Sequence, residues 1–242
     1  MKRMVFLAAT LGVCGVVASC TEPPPSDPTP TTTTTTTTTV APAPLQLDAA
    51  HLDSTGPYEG FVAGARCPDA YTHLGTEVAQ TFVAGVTGNL ERISVPLYSY
   101  FGVSPEPLSV TVHAVEPDGS PSATELGRGT YSGLGLGEWI GSVPSSSLID
   151  IDLATPAAVT AGQTYAIRFA VEQDCPGGDV PAPYPSWVMR TSFRQGVDPY
   201  VDGAVWTRYR DEDSNTDWRF RDAADLDYFY DIIFQTWVRP TS

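Results

Sequence analysis

The chain has 242 residues, a formal net charge of −15 at pH 7, and many turn-forming residues, with 22 prolines and 21 glycines. Abundant Gly and Pro disfavour a helical bundle and favour short strands joined by turns. Such an acidic chain is a poor partner for nucleic acid, because phosphate binding relies on Lys and Arg side chains. The only lysine is Lys2, which excludes Schiff-base and P-loop chemistry for the rest of the chain.

The first twenty residues have the features of an export signal. A positive Lys2-Arg3 start precedes an uncharged apolar stretch, 4–18, that is shorter than the roughly 20 residues of a membrane-spanning helix. The stretch ends in Val17-Ala18-Ser19-Cys20, which resembles the bacterial lipobox. The resemblance implies that residues 1–19 are a lipoprotein signal peptide and that Cys20 is acylated. The alternative is an ordinary secretory signal with a chance cysteine.

Acylation of Cys20 predicts an extracytoplasmic protein anchored to a bacterial membrane by its N-terminal lipid. Two or more acyl chains give stable attachment where a single chain would be marginal. No later stretch reaches 18 consecutive apolar residues, so the lipid is the only membrane attachment that the sequence predicts.

Residues 20–45 predict a disordered linker that acts as a stalk. The segment holds nine consecutive threonines, 31–39, between proline-rich flanks, and it has no apolar periodicity. Such a composition cannot bury enough apolar surface to offset the entropy of ordering. Proline fixes φ and β-branched threonine favours extended backbone, so the stalk should be extended. Threonine- and proline-rich stalks are also common glycosylation substrates.

Residues 46–242 predict a single all-β domain. Apolar and polar residues alternate with period two in four runs, which is typical of strands with one buried face. Those four runs are 93–97, 108–114, 149–153 and 165–171. Turn sequences separate them at 117–121, 160–162 and 176–178. Later strand candidates are 186–191, 204–210, 217–221 and 229–238. Nine to eleven strands favour a two-sheet β-sandwich of jelly-roll type, preceded by the disordered stalk.

Several motifs in this region, in this order, resemble the choice-of-anchor type β-sandwich modules of bacterial exported proteins. They include Gln80-Thr-Phe82-Val-Ala-Gly85, Leu108-Ser-Val-Thr-Val-His-Ala114 and Asp231-Ile-Ile-Phe-Gln-Thr-Trp-Val238. The resemblance covers 77–238, while 45–76 has no counterpart. It implies an extracellular β-sandwich of a kind usually found without a known catalytic centre.

Two cysteines, Cys67 and Cys175, lie in the predicted domain. An even pair of cysteines in an exported domain predicts a disulfide. Two free thiols are the alternative.

One acidic segment has the spacing of a calcium loop, with oxygen-bearing side chains at positions 1, 3, 5 and 7. These candidate ligands are Asp211, Asp213, Asn215 and Asp217. Thr216 replaces the expected glycine and Arg219 stands at position 9, so a solvated hairpin turn is the alternative. Four neighbouring carboxylates could instead form a different metal site with oxygen ligands. They are Asp198, Asp202, Asp225 and Asp227. Apart from this structural calcium, the sequence predicts no cofactor.

Aromatic residues concentrate in the last third of the chain, where exposed rings could stack on the C–H faces of a sugar. The predicted ligand-binding residues are Tyr184, Trp187, Tyr200 and Trp206, with Tyr209 and Trp218 nearby. Core filling is the alternative, because aromatic residues are favoured in strands and contribute heavily to cores.

Signals for catalysis are weak. The chain has neither a Gly-x-Ser-x-Gly elbow nor a His-Glu-x-x-His helix, and its three histidines are scattered. We therefore predict no catalytic residue. The sequence predicts a lipid-anchored cell-surface protein whose β-sandwich binds an extracellular glycan or protein. The alternatives are a structural envelope lipoprotein without a specific ligand, and a carboxylate-dependent hydrolase.

Overall fold

Every regular element in the part of the chain that the structure describes is a β-strand. The computed structural model describes residues 41–52, 59–64, 76–99, 107–133, 135–136, 147–172, 186–195, 198, 200–209, 217–220 and 228–241. The prediction of an all-β fold is confirmed. Within these ranges, no helix is long and apolar enough to cross a membrane.

The described residues form fourteen strands, so the prediction of nine to eleven was too low. The first seven are β1 (Gln46–His51), β2 (Glu59–Gly64), β3 (Thr76–Val83), β4 (Gly88–Val95), β5 (Leu97–Ser99), β6 (Leu108–Val115) and β7 (Pro121–Tyr131). The other seven are β8 (Ile149–Val159), β9 (Thr164–Val171), β10 (Ser186–Gln195), β11 (Val205–Tyr209), β12 (Arg219–Phe220), β13 (Tyr228–Ile232) and β14 (Phe234–Pro240).

The strands form a curled large sheet and a smaller sheet, an arrangement consistent with a β-sandwich. The ten-stranded sheet has the order β1-β14-β4-β8-β7-β6-β9-β3-β11-β12, and all its pairs are antiparallel. The four-stranded sheet has the order β13-β10-β2, with β5 also paired to β10. These strands belong to a unit that runs from Pro42 to Ser242.

The hydrophobic core contains residues of both sheets. Phe82 and Phe169 come from the large sheet and Trp187 and Met189 from the small one, and all four are fully buried. In β8 the predicted alternation is confirmed, because Ile151 and Leu153 are buried and the aspartates between them are exposed. In β6 and β9 both faces are buried, so polar residues predicted to face water are enclosed instead.

Two of the predicted turns are confirmed by their backbone geometry. Between β6 and β7, Gly119 has φ +86°, and the Asp118 carboxylate accepts the Ser120 N–H at 2.9 Å. Between β8 and β9, Gly162 has φ +81°, a conformation that glycine adopts without a Cβ clash. The third predicted turn, 176–178, lies outside the described residues.

The predicted strand 229–238 is two strands that belong to different sheets. β13 pairs with β10 in the small sheet, and β14 pairs with β1 and β4 in the large sheet. The chain changes sheets at Ile233, whose N–H donates to the Arg190 carbonyl at 3.0 Å. The apolar run Ile232-Ile233-Phe234 breaks the period of two, because all three side chains are buried on successive positions.

Candidate functional site

A small open pocket lies where β13, the start of β11 and the short strand β12 meet. Its volume is about 220 Å³, which includes space open to solvent. Two carboxyl groups and three aromatic residues contribute to its lining. The lining residues are Asp198, Gly203, Ala204, Val205, Phe220, Phe229, Tyr230 and Asp231. We call this feature the carboxyl pocket.

Asp231 is held from the large sheet by Gln80. The Asp231 side chain is only 2% exposed, and its Oδ1 accepts the Gln80 Nε2–H at 2.9 Å. The other end of the same amide, Oε1, accepts the Ile232 N–H at 2.7 Å. Gln80 is itself fully buried on β3, so one amide joins the two sheets and fixes the Asp231 carboxyl group.

Asp198 reaches the pocket from the segment between β10 and β11. Its Oδ1 accepts the Tyr200 N–H at 2.8 Å, which is the local bond that aspartate favours in turns. The segment is then tied to β3, because Ala204 N–H donates to Thr81 Oγ1 at 2.8 Å and Thr81 N–H donates to the Ala204 carbonyl at 2.9 Å. A Cβ on Gly203 would lie only 2.0 Å from the Thr81 carbonyl oxygen, so this close approach requires glycine.

The carboxyl groups of Asp198 and Asp231 both line the pocket, and Asp198 lies close enough to raise the pKa of Asp231. Burial raises the pKa of Asp231 to about 8, and the negative charge of Asp198 adds to the rise, while the bond from Gln80 opposes it. With that pKa, Asp231 is mostly protonated at neutral pH, and a protonated carboxyl group can donate a hydrogen bond where a carboxylate cannot.

The aromatic side of the pocket includes one well-exposed ring. Phe220 on β12 is 49% exposed and packs against Trp206, with 5.2 Å between the ring centroids. Phe229 and Tyr230 on β13 are half-buried. The pocket therefore combines hydrogen-bonding carboxyl groups with an apolar ring open to solvent.

The structure places the predicted aromatic residues in different surroundings. Trp187 has no exposed surface and packs edge-on against Tyr131 at 5.4 Å, so it fills the core. Tyr200 is half-buried between Phe234 and His51, at centroid distances of 5.4 Å and 5.5 Å. Burial, with the nearby Asp202 charge, raises the pKa of the Tyr200 hydroxyl to about 12.

Trp206 is almost buried on β11, and its indole N–H has no hydrogen-bond partner among the described residues. It contributes to the site indirectly, because it supports the exposed Phe220 ring. The fourth predicted aromatic, Tyr184, lies outside the described residues.

The predicted calcium loop falls mostly outside the described residues. Asp217 is described and exposed, whereas Asp211, Asp213 and Asn215 are not described. Of the second oxygen set, Asp198 lies in the carboxyl pocket and Asp202 is exposed nearby, while Asp225 and Asp227 are outside. Within the described ranges, no group of three or more His, Cys, Asp or Glu residues could hold a metal ion. The predicted lipidated Cys20 and the cysteine pair Cys67 and Cys175 also lie outside these ranges.

Sequence reasoning missed Asp231, Gln80 and Phe220 as site residues. Asp231 carried a usable signal, because it is a carboxylate inside the apolar stretch Phe229–Val238, and a charge in a core strand is rarely left unpaired. Gln80 and Phe220 gave no such signal, since neither residue type is unusual in a strand.

A buried serine–histidine pair lies outside the pocket lining. His51 Nε2 and Ser192 Oγ are 2.5 Å apart, and both side chains are buried. The pair joins β1 of the large sheet to β10 of the small sheet. Because neither group faces the pocket lining, we interpret the pair as a structural contact between the sheets.

No protein-family model matches the chain, and no curated protein matches it. The function therefore has to be argued from the pocket itself.

Proposed function

We propose that the protein is a lipid-anchored cell-surface protein whose β-sandwich binds an extracellular glycan in the carboxyl pocket. The supporting observation is the pocket's combination of the Asp198–Asp231 pair with the exposed Phe220 ring. Sugars present both hydroxyl groups and C–H faces, and this lining offers a partner for each. Asp198 accepts a hydroxyl hydrogen, and Phe220 stacks on a ring face.

The pocket is too small to enclose a sugar unit, because the cavity that compares with ligand sites of roughly 300–1,000 Å³ measures about 20 Å³. We propose that an oligosaccharide lies across the mouth of the pocket, with one ring against Phe220 and the rest of the chain along the surface near β12. An extracellular protein is the other ligand class that the sequence favours.

The rest of the sequence-based interpretation completes this proposal. Cys20 carries the lipid on the outer side of a bacterial membrane, the 20–45 stalk extends from it, and nucleic acid is not a ligand. We also propose that the sandwich is of jelly-roll type. The pairing of sequence-distant strands, β4 with β8 and β6 with β9, supports this type.

The binding proposal is tested with the full chain, purified in detergent, on an array of neutral and acidic oligosaccharides. We expect Phe220→Ala and Asp198→Asn each to weaken binding about tenfold or more, since each removes a direct contact in the pocket. Two matched exposed controls should leave binding unchanged. Leu52→Ala removes an apolar side chain, and Glu116→Gln removes a carboxylate, both outside the pocket lining.

If the control variants lose as much binding affinity as the pocket variants, the ligand does not bind in the carboxyl pocket. No detectable binding on the array, together with no binding partner in pull-downs of extracellular proteins, would favour a structural envelope lipoprotein without a specific ligand.

A carboxylate-dependent hydrolase is the second candidate, and the protonated Asp231 beside Asp198 favours it, because one group could act as acid and the other as base. Glycosidases use two carboxyl groups about 5–10 Å apart, and Asp198 and Asp231 line the same pocket. Hydrolysis of a panel of glycoside, ester and peptide substrates that Asp198→Asn and Asp231→Asn both abolish would support this candidate over binding alone.

A further inference from the structure

We propose that the outer face of β1, β14, β4 and β8 is a second binding surface, which takes a neutral oligosaccharide. These four strands are consecutive in the large sheet. Their pairing register places two rows of side chains across the face. The first row is Leu47, Trp237, Arg92 and Asp152, and the second row is Ala50, Gln235, Ser94 and Asp150. We call these eight residues the sheet platform.

The sheet platform faces away from the hydrophobic core. Ile93 and Ile151, which lie between the platform positions of β4 and β8, are buried in the core. Successive side chains of a strand point to opposite faces, so the platform side chains point outward. At the two ends of the first row, Leu47 is 47% exposed and the Asp152 side chain is 73% exposed. A ligand therefore reaches the platform without any rearrangement of the strands.

Hydrogen bonds hold the polar groups of the platform in place. The Trp237 Nε1–H donates to Ser94 Oγ at 3.0 Å, and the Ser94 hydroxyl donates to Asp150 Oδ1 at 2.6 Å. Arg92 donates from Nη1 to Asp150 at 3.1 Å and from Nε to Asp152 at 2.7 Å. One continuous chain of hydrogen bonds thus runs from the indole ring to both aspartates. Side chains that are already ordered lose little conformational entropy when a ligand binds.

The groups on the platform match the chemistry of a sugar. Sugar hydroxyl groups both donate and accept hydrogen bonds. The exposed carboxylates of Asp150 and Asp152 are acceptors, and the Arg92 guanidinium is a donor with several N–H groups. Trp237 and Leu47 are directly paired across β14 and β1, so they offer one apolar surface for the C–H face of a sugar ring.

The charges on the platform favour a neutral ligand. Arg92 is shared by two carboxylates, so its positive charge is already compensated and it would bind an anionic ligand weakly. A cationic ligand would have to compete with Arg92 for the same two carboxylates. An uncharged ligand with many hydroxyl groups needs neither exchange, because it can add hydrogen bonds to the existing network.

The length of the platform favours an oligosaccharide over a single sugar. Four neighbouring strands at roughly 4.8 Å spacing extend over about 14 Å, so the ligand lies across the strands from Leu47 toward Asp152. The inference rests on the proposed glycan-binding function. It does not depend on the carboxyl pocket, because Phe220 and Asp198 lie outside the platform.

The test measures binding of the full chain, purified in detergent, to an array of neutral and acidic oligosaccharides. We expect neutral oligosaccharides to bind, and we expect Trp237→Ala to weaken that binding about tenfold or more, because it removes the stacking surface. Asp152→Asn should weaken binding about threefold or more, because an amide oxygen is a weaker acceptor than a carboxylate. The fold should tolerate this second change, since the ion pair with Arg92 is exposed.

Two exposed residues outside both the platform and the pocket lining provide matched controls. Val201→Ala removes an apolar side chain and Glu116→Gln removes a carboxylate, and neither variant should bind more weakly than the unmodified protein. Should Trp237→Ala fail to fold, Leu47→Ala takes its place, because the exposed Leu47 side chain can be removed without opening a cavity in the core.

The proposal is overturned if neutral oligosaccharides do not bind, including the case in which only acidic oligosaccharides or an extracellular protein binds. It is also overturned if Phe220→Ala and Asp198→Asn lose binding while the platform variants keep it, which would leave the carboxyl pocket as the site. The reverse pattern supports the platform and contradicts the pocket as the binding site. Loss of binding in both sets of variants supports both surfaces.

Discussion

At the level of single residues, the most enclosed charge in the described chain is Glu77, a fully buried carboxylate shared by two arginines. Arg168 donates to it from Nε at 2.7 Å and from Nη2 at 2.8 Å, and Arg208 donates from Nε at 2.6 Å. Arg208 also lies 4.5 Å from the centre of the Trp218 ring. Burial alone would raise the pKa of Glu77, but the bonds and charges of Arg168 and Arg208 outweigh it, so the pKa is lowered.

We predict that Glu77→Gln lowers the free energy of unfolding by about 3 kcal/mol or more at pH 7, because it removes the buried counter-charge of the buried Arg168 and the half-buried Arg208. The matched control is Glu172→Gln, which removes a more exposed carboxylate 3.4 Å from the same Arg168. It should cost less than about 1 kcal/mol. Urea denaturation of both variants measures the difference.

The pH dependence gives a second check on Glu77. Its pKa is lower in the folded state than in the unfolded state, so its stabilisation is present above about pH 4.5 and is lost as the pH falls. The gap between the unmodified protein and Glu77→Gln should therefore narrow on acidification. A gap that stays constant down to pH 3 would contradict this role.

The contribution of Asp231 to stability depends on pH in the opposite direction. Its folded-state pKa lies above its usual 3.8, at about 8. The folded state therefore holds a proton that the unfolded state releases, and the contribution of Asp231 to stability falls as the pH rises from about 4 to about 8. Above that range its contribution is constant. The raised pKa of Asp231 therefore lowers the free energy of unfolding at neutral pH, and it also makes the charge of the carboxyl pair depend on pH near neutrality.

At the level of elements, β7 and β8 lie in very close contact at two glycines. A Cβ on Gly129 would lie 2.7 Å from the Asp152 carbonyl oxygen, and one on Gly127 would lie 2.7 Å from the Thr155 carbonyl oxygen. The pairing register also shifts at this joint, between Arg128 and Gly129. Glycine therefore allows β8 to approach more closely than any other residue would.

We predict that Gly129→Ala destabilises the protein by about 1–3 kcal/mol, because the added methyl group meets backbone that cannot easily move. Thr130→Ala, at the next and exposed position of β7, is the matched control and should cost less than about 1 kcal/mol. Thermal denaturation of both variants provides the comparison. Equal melting temperatures for the two variants would contradict the prediction, because they would show that β7 and β8 accommodate the methyl group without loss of stability.

Local pattern predicted β6, β8, β9, β10 and β11, but it gave no candidate for β1, β2, β3 or β7 and did not predict sheet membership. The turns around Gly119 and Gly162 follow from short-range turn chemistry. The break at Ile233 does not follow from turn chemistry, because it depends on long-range pairing. The first half of the apolar run pairs with β10, and the second half pairs with β4. Similarly, the sequence pattern of β6 and β9 predicts one solvent-exposed face, whereas tertiary packing buries both faces.

At the level of the whole molecule, the acidic β domain and the predicted lipid have separate roles in the proposal. The lipid should determine where the protein is, and the carboxyl pocket what it binds. These roles can be separated experimentally, since Cys20 and the pocket residues belong to different predicted segments of the chain.

We predict that Cys20→Ser removes the protein from the membrane fraction of bacterial cells and abolishes incorporation of labelled palmitate, because serine has no thiol for the lipid to attach to. Fractionation followed by immunoblotting measures the first effect. Cys67→Ser is the control, because a cysteine outside the lipobox should leave palmitate incorporation unchanged. Retention of the Cys20→Ser protein in the membrane would argue against lipid anchoring.

The sequence by itself determined the all-β class, the period-two strands and the turns, because these depend on interactions between residues a few positions apart. Tertiary structure alone decided the candidate site. Asp198 and Asp231 come from different elements, and Gln80 approaches Asp231 from the other sheet. It also decided that Trp187 fills the core while Phe220 faces solvent. The physical reason is that burial and carboxyl pairing are set by which distant strands pack together, and no local pattern carries that information.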